Sequence, residues 1–374
     1  MITNPTLHVR AGSIVALRLF DIAYAIDLAR VESLWAAAGR GGPSRGRLDY
    51  TPRKALAFDV PPVELDLGAA TVEWEGHRRT AQATARVYDF GAVALSLRIQ
   101  ITDTVFSEFA QEVSRASLSI GPQGSSPIWA DLLANLKATL ADALQRPSHS
   151  DLQEDYLFVI VRSWDRALTA EEVLAEVDLA PLLSDEERPL AEGTRRDLLR
   201  HRFSYYADDL VVMTWDRAFV YEPRGDSDVI DVLEVANAQL LEMRYYDELL
   251  DDELPKMYGW VKEVRQVTYL LAARRFATLA RQLHALVAEV TELTERVDNA
   301  LQVTEDVYLA RVYSAALESM RVPRLSAAVD RKLSIIRETY AALYNEASAI
   351  RSEVLEVTIV LLIVFEIVLA FVHP

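Results

Sequence analysis

The stretch VLEVTIVLLIVFEIVLAF, Val354–Phe371, is apolar except for Glu356 and Thr358 near its start and Glu366 deep inside it. Val354–Val372 is 19 residues, close to the ~20 that cross a bilayer core of ~30 Å. That length predicts one C-terminal transmembrane helix, with residues 353–374 as an anchor. The N-terminus, MITNPTLHVRAG, lacks the basic-then-apolar form of a secretory signal. The expectation is a single-pass, tail-anchored protein of the inner (cytoplasmic) membrane, with its larger part in the cytoplasm.

Upstream of this run the chain reads as helical from about Asp228. Leu279, Leu283, Leu286, Val290, Leu293 and Val297 step by four and three, and Leu301, Tyr308 and Val312 continue the pattern less regularly. After a break near Pro323, Val329, Leu333, Ile336, Tyr340, Leu343, Ala347, Ile350, Val354, Val357 and Leu361 repeat the same stepping without a fault. Such seams predict packed coiled-coil helices. Residues 228–352 are therefore read as a long antiparallel helical hairpin whose returning arm becomes the anchor.

Residues 1–227 read as a mixed α/β domain, with a possible subdomain break near 147–154. Ser13–Leu34 opens with β-branched and aromatic residues and then runs into a helix-like segment. Ala70–Gly76 and Ala85–Ile99 alternate apolar and polar residues, as half-buried strands do. Gly39–Arg47 reads as a flexible basic loop, and Ser125–Arg146 has helical spacing. Asp155–Trp164 is a buried-strand candidate, and Asp208–Pro223 reads as a hairpin or a pair of strands. The fold class is α+β: the mixed α/β domain, the helical hairpin and one transmembrane helix.

The net charge of −17 is concentrated in the middle of the chain. Residues 151–259 hold 11 Lys/Arg against 27 Asp/Glu, a net of −16, whereas residues 1–150 hold 15 of each. An acidic face of that size repels phosphate backbones and argues against direct nucleic-acid binding. It reads either as a solvated surface or as a docking surface for a basic protein partner. Cysteine is absent, which excludes disulfides and thiolate chemistry. Gly41 and Gly46 have the spacing of a phosphate loop, but Arg47 and Leu48 stand where its Lys and Ser/Thr belong. The six histidines are scattered without metal-ligand spacing. No catalytic residue, metal site or cofactor is expected, and the chain is not read as an enzyme.

The densest chemistry lies in Asp228–Leu254. Read as a helix, Val229, Leu233, Ala236, Leu240, Met243, Leu250 and Leu254 form one apolar stripe, with Asp247 where another apolar residue is expected. A carboxylate there costs several kcal/mol unless it is paired. Arg244, three residues earlier, is the nearest candidate partner. Asn237, Arg244, Tyr246 and Asp247 are thus either a buried polar network that fixes helix docking or a partner site.

Several of these segments together resemble the "required for meiotic nuclear division" family of membrane-anchored proteins. They are Leu210–Pro223 (LVVMTWDRAFVYEP), Ala236–Leu254 (ANAQLLEMRYYDELLDDEL), the helical hairpin and Leu355–Ile367 (LEVTIVLLIVFEI), and Phe20–Glu32 (FDIAYAIDLARVE) looks like the opening of the bacterial branch. The resemblance implies an α/β domain, a helical pair and a C-terminal span, and its architecture transfers better than any activity.

On the second heptad, Glu366 falls well away from the seam, where a lipid-facing carboxylate costs ~2.5–3.5 kcal/mol at mid-bilayer. It is expected to hydrogen-bond to the span of another copy, to line a pathway in a ring of spans, or to snorkel outward. With one span per chain, the first two need several copies. These readings predict a homo-oligomeric scaffold or tether in the lipid bilayer, presenting the acidic residues 151–259 to a basic partner. The alternative is a ring-forming channel or transporter component with Glu366 in its pathway.

Overall fold

A computed structural model describes residues 7–39, 44–45, 60–74, 77–148, 150–186, 188–225, 228–264, 269–300 and 306–372. The chain divides into two compact units, Met1–Glu242 with Arg296–Pro323, and Met243–Glu295 with Arg324–Pro374. The basic loop expected over 39–47 lies mostly outside the described residues.

The first unit opens with β1 (His8–Asp21), β2 (Ala23–Ile26), α1 (Leu28–Ala37), β3 (Ser44–Arg45), β4 (Val63–Trp74), β5 (His77–Val87) and β6 (Ala92–Val105). Next come α2 (Phe106–Ser119), α3 (Ile128–Leu140), β7 (Leu144–Pro147), β8 (Gln153–Trp164), α4 (Ala170–Glu176), α5 (Ala180–Ser184) and α6 (Glu192–Leu198). Then β9 (Arg202–Phe203), β10 (Leu210–Met213) and β11 (Arg217–Tyr221) precede the long helices α7 (Val229–Val264), α8 (Tyr269–Ala300), α9 (Val307–Ser319) and α10 (Val322–Val372).

Nine strands form one sheet in the order β3-β4-β5-β6-β1-β8-β11-β10-β9, and β2 with β7 make a separate ribbon. β1 lies near the middle because its run of β-branched and aliphatic residues is buried on both faces. It pairs antiparallel with β6 from His8↔Val105 to Asp21↔Ala92, and with β8 on its other side. The nine-stranded sheet therefore takes strands from both sides of 147–154. β11 alone runs parallel to its neighbour, β8.

The period of two sorts the side chains. Ile14, Ala16, Ala83, Ala85, Val87, Val93, Leu95, Leu97, Leu157 and Val159 share one face and the main core with Trp35, Phe109, Val113, Trp129 and Leu136 of α1, α2 and α3. On the other face lie Val15, Leu17, Gln82, Thr84, Arg86, Ser96, Arg98 and Phe158, beneath Ile230, Asp231 and Glu234 at the start of α7. The segment Ala85–Ile99 is two strands, because Tyr88–Gly91 turns the chain. Gly91 has φ 107°, and a Cβ there would stand 1.8 Å from the Ala23 carbonyl oxygen. Only glycine allows that approach.

Three helix starts carry side-chain caps. The Asp27 carboxylate accepts from Arg30 N, Thr169 and Glu172 form a capping box, and Asp306 accepts from Tyr308 N and Leu309 N. At the other end, α9 stops before Arg321, whose φ is 61°, and Pro323 sits in the first turn of α10.

The second unit is helical. Tyr246, Leu250, Met257, Phe276, Leu279, Leu283, Val290, Val329, Leu333, Ile336, Leu343 and Ile350 are buried in it. Arg337 donates to Thr291 Oγ1 at 3.4 Å, and the rings of His284 and Tyr340 lie 5.4 Å apart. These two contacts join α8 to α10.

The transmembrane reading is corrected here. Among the described residues no helix is long and apolar enough to cross a membrane. The exposed apolar side chains run from Leu355 to Leu369, about 22 Å of helix axis at 1.5 Å per residue. Glu353, Glu356 and Glu366 all fall within 352–369, so that stretch carries three carboxylates, two of them inside the apolar run itself. Counting 354–372 as a single apolar span gave the length of a bilayer core too much weight against those charges. The tail-anchored, single-pass inner-membrane placement rested on that span and falls with it. Glu366 is exposed on α10, and residues 373–374 lie outside the described ones.

Candidate functional site

In the first unit a cleft of about 160 Å³ opens beside the edge of the sheet, lined by the Tyr205–Asp209 loop, β10, β11, the turn after β11 and the start of α9. Tyr205, Tyr206 and Tyr308 form its aromatic wall. The rings of Tyr205 and Tyr206 meet edge to face at 4.8 Å and 87°, and those of Tyr205 and Tyr308 at 5.3 Å and 63°. Tyr205 is 60% exposed and Tyr206 49%.

Among the described residues five carboxylates line the cleft, those of Asp208, Asp209, Glu222, Asp228 and Asp306, against one guanidinium, that of Arg224. Two of them hold the wall in shape. Asp209 accepts from Tyr205 N at 2.7 Å and from Tyr206 N at 3.0 Å, and Asp306 caps α9 just ahead of Tyr308. Asp208 makes no hydrogen bond or ion pair among the described residues. The negative field is visible in Tyr308: burial, reinforced by Asp209, Glu222 and Asp306, holds its hydroxyl well above the usual phenol range, with Arg311 opposing. Carboxylates beside tyrosine rings suit a cation.

A second polar cluster lies between the sheet and the start of α7, around a cavity of about 150 Å³. Arg86 Nη1 sits 2.8 Å from Asp231 and 3.2 Å from Glu234, and Tyr88 donates to Glu234 at 2.7 Å. Burial pushes the Glu234 carboxyl up while Arg86 opposes it. Its charges largely satisfy one another, so it reads as a clamp that seats α7 on the sheet. Among the described residues no group of three or more His, Asp or Glu could hold a metal ion.

The residues singled out in Asp228–Leu254 do not form one site. Asn237, in the first unit, is 1% exposed and donates to Leu233 O at 2.8 Å, four residues back in its own helix. Arg244, Tyr246 and Asp247 belong to the second unit. Arg244 is exposed, whereas Tyr246 is fully buried with its ring 5.8 Å from that of Tyr245. Asp247 pairs with Lys332 at 2.6 Å, and Lys332 also reaches Asp251 at 2.7 Å. The apolar stripe marks Asp247 as a carboxylate that needs a partner, and that partner is a lysine 85 residues away, beyond any pattern along one helix.

The cleft was missed in the sequence although much of it lies in the acidic segment. Its local signal is SYYADD, Ser204–Asp209, in which paired tyrosines precede paired aspartates in a loop. Asp306 and Tyr308 are brought in by the fold alone.

Residues 11–228 match the family described as "Uncharacterized protein MJ0711, N-terminal domain". The chain is also similar to the Uncharacterized protein MJ0711 of Methanocaldococcus jannaschii, with 23% identity over 193 residues, 51% of this chain and 58% of that relative. This chain thus spans a little over half of the archaeal protein's length. No solved structure matches it. The family match covers more than half of the chain, including nearly all of the nine-stranded sheet, and this protein therefore belongs to the family of the MJ0711 N-terminal domain.

Proposed function

We propose that this protein is a binding scaffold whose first unit takes a cationic side chain of a basic partner protein into the tyrosine-walled acidic cleft. The observation behind it is the imbalance there: among the described residues, five carboxylates and one guanidinium line the cleft beside the Tyr205, Tyr206 and Tyr308 rings, of which Tyr205 and Tyr206 are exposed. The net charge of −16 over residues 151–259 supports the reading, since it attracts a basic partner before contact.

The test is calorimetric titration of the full chain with a ten-residue peptide alternating arginine and glycine, at physiological salt. Wild type is expected to bind it, and Tyr206→Ala to bind it about tenfold more weakly, the loss of one cation–π wall. Equal affinity for both chains sinks the cleft as the site.

A second feature favours a scaffold built of several copies. From Leu355 to Leu369, twelve large apolar side chains are 42–63% exposed around α10, far more than a monomer ordinarily leaves uncovered. Copies associate through this segment. Light scattering of the full chain gives a multiple of 42.0 kDa, and Leu362→Glu with Val368→Glu lowers it. A monomeric mass for wild type at micromolar concentration rules the association out.

A further inference from the structure

The cleft already holds a cation of its own. Arg224 lies with Cζ 4.8 Å from the Tyr206 ring centroid, in cation–π contact with the wall. Its backbone is tied down on both sides. Glu222 N donates to Val161 O at 3.0 Å, and Gly225 has φ 72°, where a Cβ would overlap the Arg162 guanidinium. Arg224 is exposed and makes no ion pair with a carboxylate among the described residues, although five of them line the same cleft. It stacks on the tyrosine without pairing.

Resting on the cleft as the partner site, we propose that its ligand is specifically a peptide arginine, and that Arg224 occupies the guanidinium position in the free protein and competes with the ligand for it. A guanidinium is planar and weakly hydrated, so it lies flat on a tyrosine ring. An ammonium is compact and strongly hydrated and gains less from that surface. The Tyr205, Tyr206 and Tyr308 rings supply walls at steep angles to one another, into which a flat group slides. Asp208, on the same cleft, supplies the carboxylate that Arg224 leaves unused. The entering arginine stacks where Arg224 stood and pairs with Asp208, while Arg224 swings out to solvent.

The experiment is fluorescence anisotropy on the full chain with two labelled ten-residue peptides, arginine alternating with glycine and lysine alternating with glycine. They are titrated into wild type, Arg224→Gln and Asp208→Asn. Arg224 is exposed, so its replacement leaves the fold intact, which circular dichroism checks. The arginine peptide is expected to bind wild type about tenfold more tightly than the lysine peptide. Arg224→Gln is expected to bind the arginine peptide about threefold to fivefold more tightly, by removing both the competitor and a like charge. Asp208→Asn weakens the arginine peptide by a similar factor. Equal binding of both peptides to wild type, or weaker arginine binding by Arg224→Gln, overturns the inference and leaves a general cation site standing. Absence of binding of either peptide to both wild type and Arg224→Gln overturns the inference and the cleft together.

Discussion

Arg217→Ala is expected to lower the stability of the first unit by about 3–5 kcal/mol. Arg217 is 1% exposed, at the start of β11. Its guanidinium lies 3.2 Å from Asp216 and 3.6 Å from Asp185, and it donates to Leu182 O at 3.2 Å and Ser117 Oγ at 3.3 Å. One side chain thus ties α2, α5 and β11 together. Asp185, held at φ 57°, also accepts from Ser114 Oγ at 2.9 Å. Removing the arginine leaves two buried carboxylates without their cation, which costs far more than the arginine's own burial. Urea unfolding followed by tryptophan fluorescence reads the loss as a midpoint shift of about 1–2 M. The triple change Arg217→Met, Asp185→Asn, Asp216→Asn removes every charge at once and is expected to regain most of it. A single variant within 1 kcal/mol of wild type contradicts the ion-triad account.

Asp21→Asn is expected to act in the opposite direction, and only above mildly acidic pH. Asp21 ends β1 at 6% exposure, and burial pushes its carboxyl up to about 6, with a Ser148 hydrogen bond and Lys137 opposing. Its Oδ2 has no hydrogen-bond partner among the described residues. Because the folded state holds this proton more tightly than the unfolded chain does, its stabilising contribution is complete below about pH 4. It is lost as pH rises through about 6. The ordinary value of 3.8 and the folded value of about 6 correspond to about 3 kcal/mol. Asparagine cannot ionise, so the variant is expected to match wild type near pH 4 and to exceed it by up to about 3 kcal/mol at pH 7.5. Urea midpoints of the two proteins at both pH values measure the difference. A variant less stable than wild type at pH 7.5 would show that the charged form is the one the fold favours.

The two sites differ in how they could be read from residues alone. DYLFVIVRSW reads as a buried strand because it is a continuous apolar run, and it is β8, flanked on both sides in the sheet. Ala85–Ile99 alternates correctly yet hides a hairpin, since Gly91 was not read as a turn. Local pattern gives faces and periods. It does not give partners between residues far apart in the chain, and several contacts here are of that kind: Asp247 with Lys332, Arg217 with Asp185, Arg86 with Asp231, and the Tyr205 ring against Tyr308. The terminal helix shows the opposite error. A run of matching length reads as a membrane span although its carboxylates argue against one. The acidic bias of residues 151–259 was legible as charge, but only the fold gathers five of the cleft's carboxylates around three tyrosines.

The proposed ligand of that cleft is a peptide arginine. The most direct measurement is a titration of the arginine–glycine peptide into full-length protein carrying ¹³C-labelled tyrosine rings, with resonances assigned by single Tyr→Phe changes. Saturable shifts confined to Tyr205, Tyr206 and Tyr308, with the buried rings of Tyr88, Tyr156 and Tyr246 unmoved, are the predicted result. Binding that leaves those three rings unmoved would place the partner elsewhere on the protein and contradict the account.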